Sequence, residues 1–324
     1  MPIHVASTFC RAALTALAAA GLAAPVLADD IGAVEIIAPA GPGGGYDQLA
    51  RGLQAALEET ALASNVQVIN VPGAGGTIGL AQFINGKSQS EQLMVTGLGM
   101  IGAIEINHSA VSLEQTTPLA RLTGEYQPLI VGANSPLKTL ADLEAMYKAD
   151  PGSVSWGGFA LGSPDHLLSA MTVKAFGGDV KEMNYIVAGA GGEMLSQVLG
   201  GHITVATGGL NEFAGLIQSG ELRALAISSP ERLPGVDIPT FKEQGYDVEL
   251  VNWRGIMAQK SAEGEDLAKL DSAMSELVAS DAWKKLVAER AWVDLHLDEE
   301  GFAAFLSAEQ PRVNQILADL GLGQ

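Results

Sequence analysis

The sequence predicts an α/β protein of two lobes, and three observations carry that reading. Short apolar runs alternate with helix-like segments, which implies a mainly parallel sheet with helices on both faces and ligands at the carboxyl ends of the strands. The same unit, a strand feeding a glycine-rich turn and then a helix, recurs in both halves. Some 300 residues beyond an N-terminal leader exceed what one core fills, and no later apolar run is long enough to cross a bilayer.

Residues 1–28 read as a secretory signal: Arg11 gives the positive start, 12–24 a short apolar core, and Val26-Leu27-Ala28 the small residues of a cleavage site near Ala28. The expected compartment is the bacterial periplasm. Cys10, the single cysteine, lies inside this leader, so the mature chain is expected to hold neither disulfides nor thiolate metal sites. The formal charge of −19 becomes −20 once Arg11 is lost with the leader. That charge argues against nucleic acid and anionic membrane surfaces as partners, since both need basic patches. An anionic ligand would have to be held by local dipoles against the global field.

In chain order, 34–37 reads as strand, 48–59 as helix, 66–71 as strand, 77–85 as helix and 93–96 as strand, with Gly97-Leu98-Gly99 opening another helix. Residues 128–133 form an apolar strand, and Thr139 is the expected N-cap of a short helix. The alternation restarts with strand 154–158, helix 164–176, strand 184–187, helix 191–199 and strands 203–206 and 222–227. A last apolar run, 248–258, precedes helical segments 263–290 and 299–320, stopped by Gly321. The expected organisation is a first lobe from 29–127, a second from 128–247, and a return to the first over 248–324. Two crossings between lobes would make a hinge.

The most informative stretch is Ala38-Pro39-Ala40-Gly41-Pro42-Gly43-Gly44-Gly45-Tyr46-Asp47, a glycine-rich turn between a strand and a helix start. Such a turn presents bare N–H groups to an anion. No Gly-Lys-Ser/Thr follows, which excludes a phosphate-binding loop, and the dinucleotide pattern fails because its third glycine would fall on Tyr46. Two readings stand: a cradle for a small acid, or a tight turn in which Asp47 caps its helix and pairs with Arg51 one turn on. On the cradle reading, a β-branched residue at Gly44 would block the approach of ligand to backbone.

A second cradle, Gly157-Gly158-Phe159-Ala160-Leu161-Gly162-Ser163-Pro164-Asp165-His166, places Ser163 at an N-cap and Pro164 at the first helical position. His166 is either a ligand contact or a structural histidine bonding the adjoining turn. Ser163 and His166 lack a nucleophile-elbow context, and no histidine pair has metal spacing, so no catalytic residue, metal or cofactor is expected. Pro72 to Thr77 and Ala188 to Glu193 are further glycine turns, in which Gly76, Thr77, Gly189 and Gly191 either meet ligand or let helix and sheet pack closely.

Together these motifs resemble the periplasmic solute-binding proteins of the tripartite tricarboxylate transporter family. The matching segments are 38–51, Val71-Pro72-Gly73-Ala74-Gly75-Gly76-Thr77-Ile78-Gly79, Gly162 to Leu167, Leu199-Gly200-Gly201-His202-Ile203, Gly220 to Ala226, and Arg232-Leu233-Pro234 with Ile238 to Tyr246. The resemblance implies a type II periplasmic-binding-protein (Venus flytrap) fold, two α/β lobes with a cleft between them. A carboxylate would be held there largely by backbone amides and waters. On that footing the ligand-binding candidates are Pro39, Ala40, Gly43, Gly44, Gly45, Tyr46, Asp47, Gly76, Thr77, Gly99, Met100, Ala160, Gly162, Ser163, His166, Gly189, Gly191 and Asn211, with Phe159 as a further wall residue; Trp253 and Arg254, on the returning segment, either line the cleft or are a core tryptophan beside an exposed arginine. The family's tricarboxylate binders more often carry tryptophan where Tyr46 stands. A tyrosine keeps the aromatic wall, adds a hydroxyl, and leaves dicarboxylates and aromatic acids open beside citrate. The implied function is non-enzymatic: a monomer that captures a small organic acid and delivers it to an integral-membrane permease. A periplasmic carboxylate sensor and a hydrolase acting in the cleft are the alternatives.

Overall fold

Two mixed sheets, each wrapped by helices, are joined by two chain crossings, one at Gln127 and one over residues 228–250. The computed structural model describes residues 30–86, 91–188 and 191–323, so the predicted leader, its cleavage site and Gly189 lie outside the described residues.

In the first sheet β1 (Ala33–Ala38) pairs in parallel with β2 (Asn65–Asn70) and β3 (Glu91–Gly97). The helices between and after them are α1 (Gly45–Glu59), α2 (Thr77–Asn85) and α3 (Leu98–Ile106). The next strand, β4 (Thr116–Tyr126), passes at Gln127 into β5 (Pro128–Gly132) of the second sheet. That sheet is completed after α4 (Leu140–Ala149) by β6 (Ser155–Gly158), α5 (Pro164–Ala175), β7 (Asn184–Val187), α6 (Gly191–Leu199), β8 (Val205–Thr207), α7 (Leu210–Gln218) and β9 (Leu222–Ile227). The chain returns through β10 (Val251–Gln259), α8 (Gly264–Ala279), α9 (Asp281–Glu289), β11 (Val293–Leu297) and α10 (Glu299–Asp319). The strand orders are β11-β4-β10-β3-β1-β2 and β7-β6-β8-β5-β9.

The sheets are less parallel than the alternation suggests. β10 pairs antiparallel with both β3 and β4, β11 antiparallel with β4, and β5 antiparallel with β8 and β9. These are the strands at or beside the lobe crossings, where the chain comes back without a crossover helix. The expected single helical stretch 263–290 is two helices, because the Ser280 hydroxyl accepts the Trp283 N–H at 3.1 Å and starts α9 afresh.

Ser228 ties the two crossings together. Its N–H donates to Gln127 O at 3.0 Å and its Oγ accepts the Gln127 N–H at 3.0 Å. The same Oγ donates to Leu250 O at 2.6 Å, and Ser228 O accepts the Leu250 N–H at 3.1 Å. Ser228 is fully buried, so these four bonds are shielded from water and hold the two crossings side by side.

One core runs between α3, β10, α10 and the inner helices of the second lobe, and Trp253 sits in it, edge-on to Phe302 and Phe305. Its indole N–H donates to Glu309 at 3.2 Å. Trp253 is therefore a core residue and no part of the cleft wall. A separate cluster packs α1, α8 and α9 on the far face of the first sheet.

Candidate ligand cleft

The glycine turns stand at the carboxyl ends of β1, β2, β3, β6 and β8, and these ends face one another across a cleft of about 500 Å³. From the first lobe Pro39, Ala40, Gly45, Tyr46, Gly76 and Gly99 line it; from the second, Phe159, Ala160, Ser163, Asp165, Gly209 and Glu212 do. Glu125 and Gln127 at the end of β4, and Asn252 and Arg254 on β10, close the hinge side. A wider depression of about 890 Å³ beside α10 gathers none of these loops.

The first-lobe turn is built around Asp47. Helix α1 begins at Gly45 with Gly44 as its N-cap, so Asp47 is the third helical residue and not the cap. Its Oδ2 reaches back to accept the Gly43 N–H at 2.8 Å and takes Arg51 Nε at 3.1 Å, while Oδ1 accepts from Asn70 Nδ2 at 2.8 Å. Burial acts to raise this carboxyl, but the bonds from Gly43, Asn70 and Arg51 and the Arg51 charge overcome it and hold it below its ordinary value. Gly43 itself adopts φ +83°, the left-handed conformation that favours glycine. Asp47 therefore shapes the loop from behind.

No side chain caps α1, which leaves the Gly45, Tyr46 and Asp47 N–H groups without an intrahelical acceptor. Beneath Gly45 lies the Arg254 guanidinium, 8% exposed, whose Nη2 donates to Glu125 Oε2 at 2.9 Å. A Cβ on Gly45 would stand 2.8 Å from Arg254 Cζ, whereas Gly44 is exposed at φ −70°. A side chain at Gly45 would thus meet the guanidinium, and one at Gly44 would lie 3.3 Å from Gly41 O. The Tyr46 hydroxyl, bonded by the Met100 backbone, is pushed up to about 12 by burial against the opposing pull of Arg254 and that bond. Met100 is buried in the core, and Thr77 is buried with its hydroxyl on Ala74 O at 3.0 Å.

The second-lobe turn is closed differently. Ser163 Oγ accepts the His166 N–H at 3.4 Å as a true N-cap, and Pro164 has no N–H to offer. His166 Nδ1 accepts the Gly162 N–H at 3.1 Å, and its ring lies 4.2 Å from that of Tyr185. Burial drives this imidazole down to about 4, so it is neutral and braces the turn. The Ser163 hydroxyl bonds Asp165 Oδ2 at 3.3 Å and not the imidazole, which separates the two groups a hydrolase would couple. Asp165 also accepts Gln127 Nε2 at 2.5 Å and the Phe159 N–H at 3.2 Å, and burial still pushes it up to about 7.

The lobes touch. A Cβ on Gly102 of α3 would lie 3.0 Å from the Gly162 carbonyl carbon, and Gly162 also packs on Ile106. At the other end Asn211 Nδ2 donates to Arg290 O at 2.7 Å and to Glu125 Oε1 at 3.3 Å, so Asn211 is a latch between lobes and not a wall residue. Gly191 begins α6. Sequence reasoning missed Glu125, Gln127, Asp165, Glu212 and Asn252 because it sought anion donors and passed over acceptors. Their one signal is position: Glu212 stands three residues after the Gly208-Gly209 turn that opens α7, and Glu125 and Gln127 precede the strand of the second lobe. Among the described residues no group of three His, Cys, Asp or Glu could hold a metal ion, and no helix is long and apolar enough to cross a membrane.

Two α/β lobes on a double-strand hinge, closing on a cleft lined by helix starts, define a solute-binding receptor. The family model of the tripartite tricarboxylate transporter family receptor (TctC) matches residues 49–322, and the chain belongs to that family. Protein BugT of Bordetella pertussis is 30% identical over 321 residues, covering 94% of this chain and 95% of that protein. A TctC solute-binding protein from Polaromonas, solved without ligand, is similar with a TM-score of 0.74 at 26% identity, covering 89% of this chain and 99% of that one. An R. palustris protein solved with adipate shares the fold with a TM-score of 0.76 at 22% identity, covering 90% and 98%.

Proposed function

We propose that this receptor captures a small organic acid in the periplasm, after removal of the leader near Ala28, and delivers it to the membrane permease of a tripartite tricarboxylate transporter. One observation carries the reading: the uncapped start of α1 opens on the cleft beside Arg254, the single basic side chain in its lining. A helix N-terminus with free N–H groups favours negative charge, and a neighbouring guanidinium adds a charge-assisted donor. A ligand carboxylate there takes the place of the missing cap. Adipate in the R. palustris relative supports an acid as the ligand. The cleft holds a solute and does not transform it, because Ser163 and His166 are engaged with the turn they belong to.

Binding joins the lobes because the carboxylate site belongs to the first lobe while Phe159 and Ala160 of the second cover it. A ligand that meets both lobes stabilises the closed form. The test is a thermal-shift screen of the mature protein with di- and tricarboxylates and aromatic acids, followed by calorimetry. A ligand at a hundredfold excess over its Kd adds about 2.7 kcal/mol to stability. No shift with any carboxylate, or turnover of one, overturns the proposal.

A further inference from the structure

Four acidic or basic side chains line the cleft besides its aromatics, and three are acids: Glu125, Asp165 and Glu212 against Arg254. Asp165 is consumed by its three donors. Glu125 and Glu212 come from opposite lobes and converge: a Cβ on Gly209 would lie 3.4 Å from Glu212 Oε1 and 3.5 Å from Glu125 Oε2. The two carboxylates thus face one point, where Arg254 is the one cationic side chain of the lining; Glu125 also takes Asn211 Nδ2, and Glu212 the Gly209 N–H. Beside them Gln127, 1% exposed and part of the lining, gives its Nε2 to Asp165 while its Oε1 has no partner. A buried acceptor without a donor costs stability until something donates to it.

The cleft is therefore split. The α1 start with Arg254 offers donors, and the hinge side with Glu125, Glu212 and Gln127 Oε1 offers acceptors. A plain dicarboxylate would satisfy the first half and face like charge at the second, in a closed site where such repulsion is stronger than in water. Resting on the carboxylate reading above, we propose that the solute is a zwitterion: a small amino carboxylate whose carboxylate sits at the start of α1 beside Arg254 and whose ammonium sits among Glu125, Glu212 and Gln127 Oε1. The ammonium then bridges carboxylates of both lobes, so it holds the cleft shut. The same nitrogen supplies the donor that Gln127 Oε1 lacks.

The test is calorimetry at low salt with matched pairs that differ by the amine: glutamate against glutarate, leucine against 4-methylpentanoate, phenylalanine against 3-phenylpropanoate. At least one aminated ligand is expected to bind ten times or more tighter than its plain counterpart. Glu212→Gln, at an exposed position that leaves folding intact by circular dichroism, is expected to weaken that ligand tenfold and to leave plain acids unchanged or stronger. Plain acids that bind as tightly as their amines, or a Glu212→Gln effect equal for both, would overturn the zwitterion while leaving the carboxylate receptor standing. Binding by neither class would overturn both.

Discussion

Gly102→Ala tests whether the lobe contact is the closing contact. The added methyl would stand 3.0 Å from the Gly162 carbonyl carbon and closer still to its oxygen, where ordinary contacts begin at 3.4 Å. The turn must therefore retreat by at least 0.4 Å at the carbon and further at the oxygen. Neither partner yields easily, because Gly102 lies within α3 and the Gly162 N–H is pinned to His166. Overpacking of this kind costs roughly 1–3 kcal/mol. Confined to the closed form, that cost weakens ligand binding by about 5- to 150-fold, since a ligand's affinity falls with the population of the state it needs. Ligand-free stability should not fall and should rise by up to about 1 kcal/mol, because an open cleft would relieve the clash and alanine is the better residue in a helix interior. Calorimetry gives the affinity, thermal unfolding the stability, and small-angle scattering with and without ligand the compaction. Wild-type affinity together with full compaction would show that Gly102 and Gly162 do not meet on closing.

Gly45→Val should displace the Arg254 guanidinium from the helix start and reduce carboxylate affinity at least tenfold, by calorimetry, whereas unchanged affinity would remove α1 from the site. Gly44→Ser supplies the missing cap at a compatible φ of −70°, so the ligand-free melting temperature should rise by the equivalent of a few tenths of a kcal/mol while affinity falls. Stronger binding in that variant would contradict a ligand acting as the cap. Asp47→Ala leaves the Gly43 N–H without its acceptor and the Asn70 amide with Ala40 O alone, which should cost about 1–3 kcal/mol in urea unfolding at pH 7; a loss under half a kcal/mol would mean water replaces the carboxylate. Asp165, at about 7 in the fold against 3.8 ordinarily, keeps a proton that the unfolded chain releases. Its contribution to stability therefore falls as pH rises from about 4 to about 7 and is flat above. Asp165→Asn should remove that slope between about pH 4 and about 7 in urea midpoints, and a slope equal to wild type would place the titration elsewhere.

Where an apolar run is bounded by glycine or by a capping residue, the sequence is readable to the residue. β7, α6, β9 and α2 occupy 184–187, 191–199, 222–227 and 77–85, as the pattern sets them. Thr139 and Ser163 cap α4 and α5 through local bonds that need no tertiary partner. β4 was not legible. It carries Pro118, Arg121, Gly124 and Glu125, and its pairing with β10 shifts register twice, so no clean alternation survives. Arg121 is drawn inward by Leu295 O at 2.8 Å and by the Phe305 ring, contacts made with residues far along the chain. β11 is a short edge strand, and α7 hides behind Gly208-Gly209, which reads as loop. The hinge side of the cleft went unread for the same reason: Glu125 acquires its meaning only when β10 places Arg254 against it and α7 places Glu212 opposite.

The two glycine turns look equivalent in sequence and are opposites in structure. A helix start normally takes an oxygen from its own N-cap, as α5 does from Ser163. In α1 that oxygen is missing at Gly44 and reappears three residues on, in Asp47, turned back onto Gly43. The loop is thus held in shape while the first-turn N–H groups stay free. Held this way, a chain of net charge −19 can offer an acid a local positive end without a basic surface. Screening over about 8 Å at physiological salt confines the remaining negative field to its immediate surroundings. The second lobe, its own helix start already satisfied, adds wall and acceptors instead of a second anion grip. The asymmetry gives the cleft a donor end and an acceptor end, so the amino carboxylate proposed above would cross it in one direction.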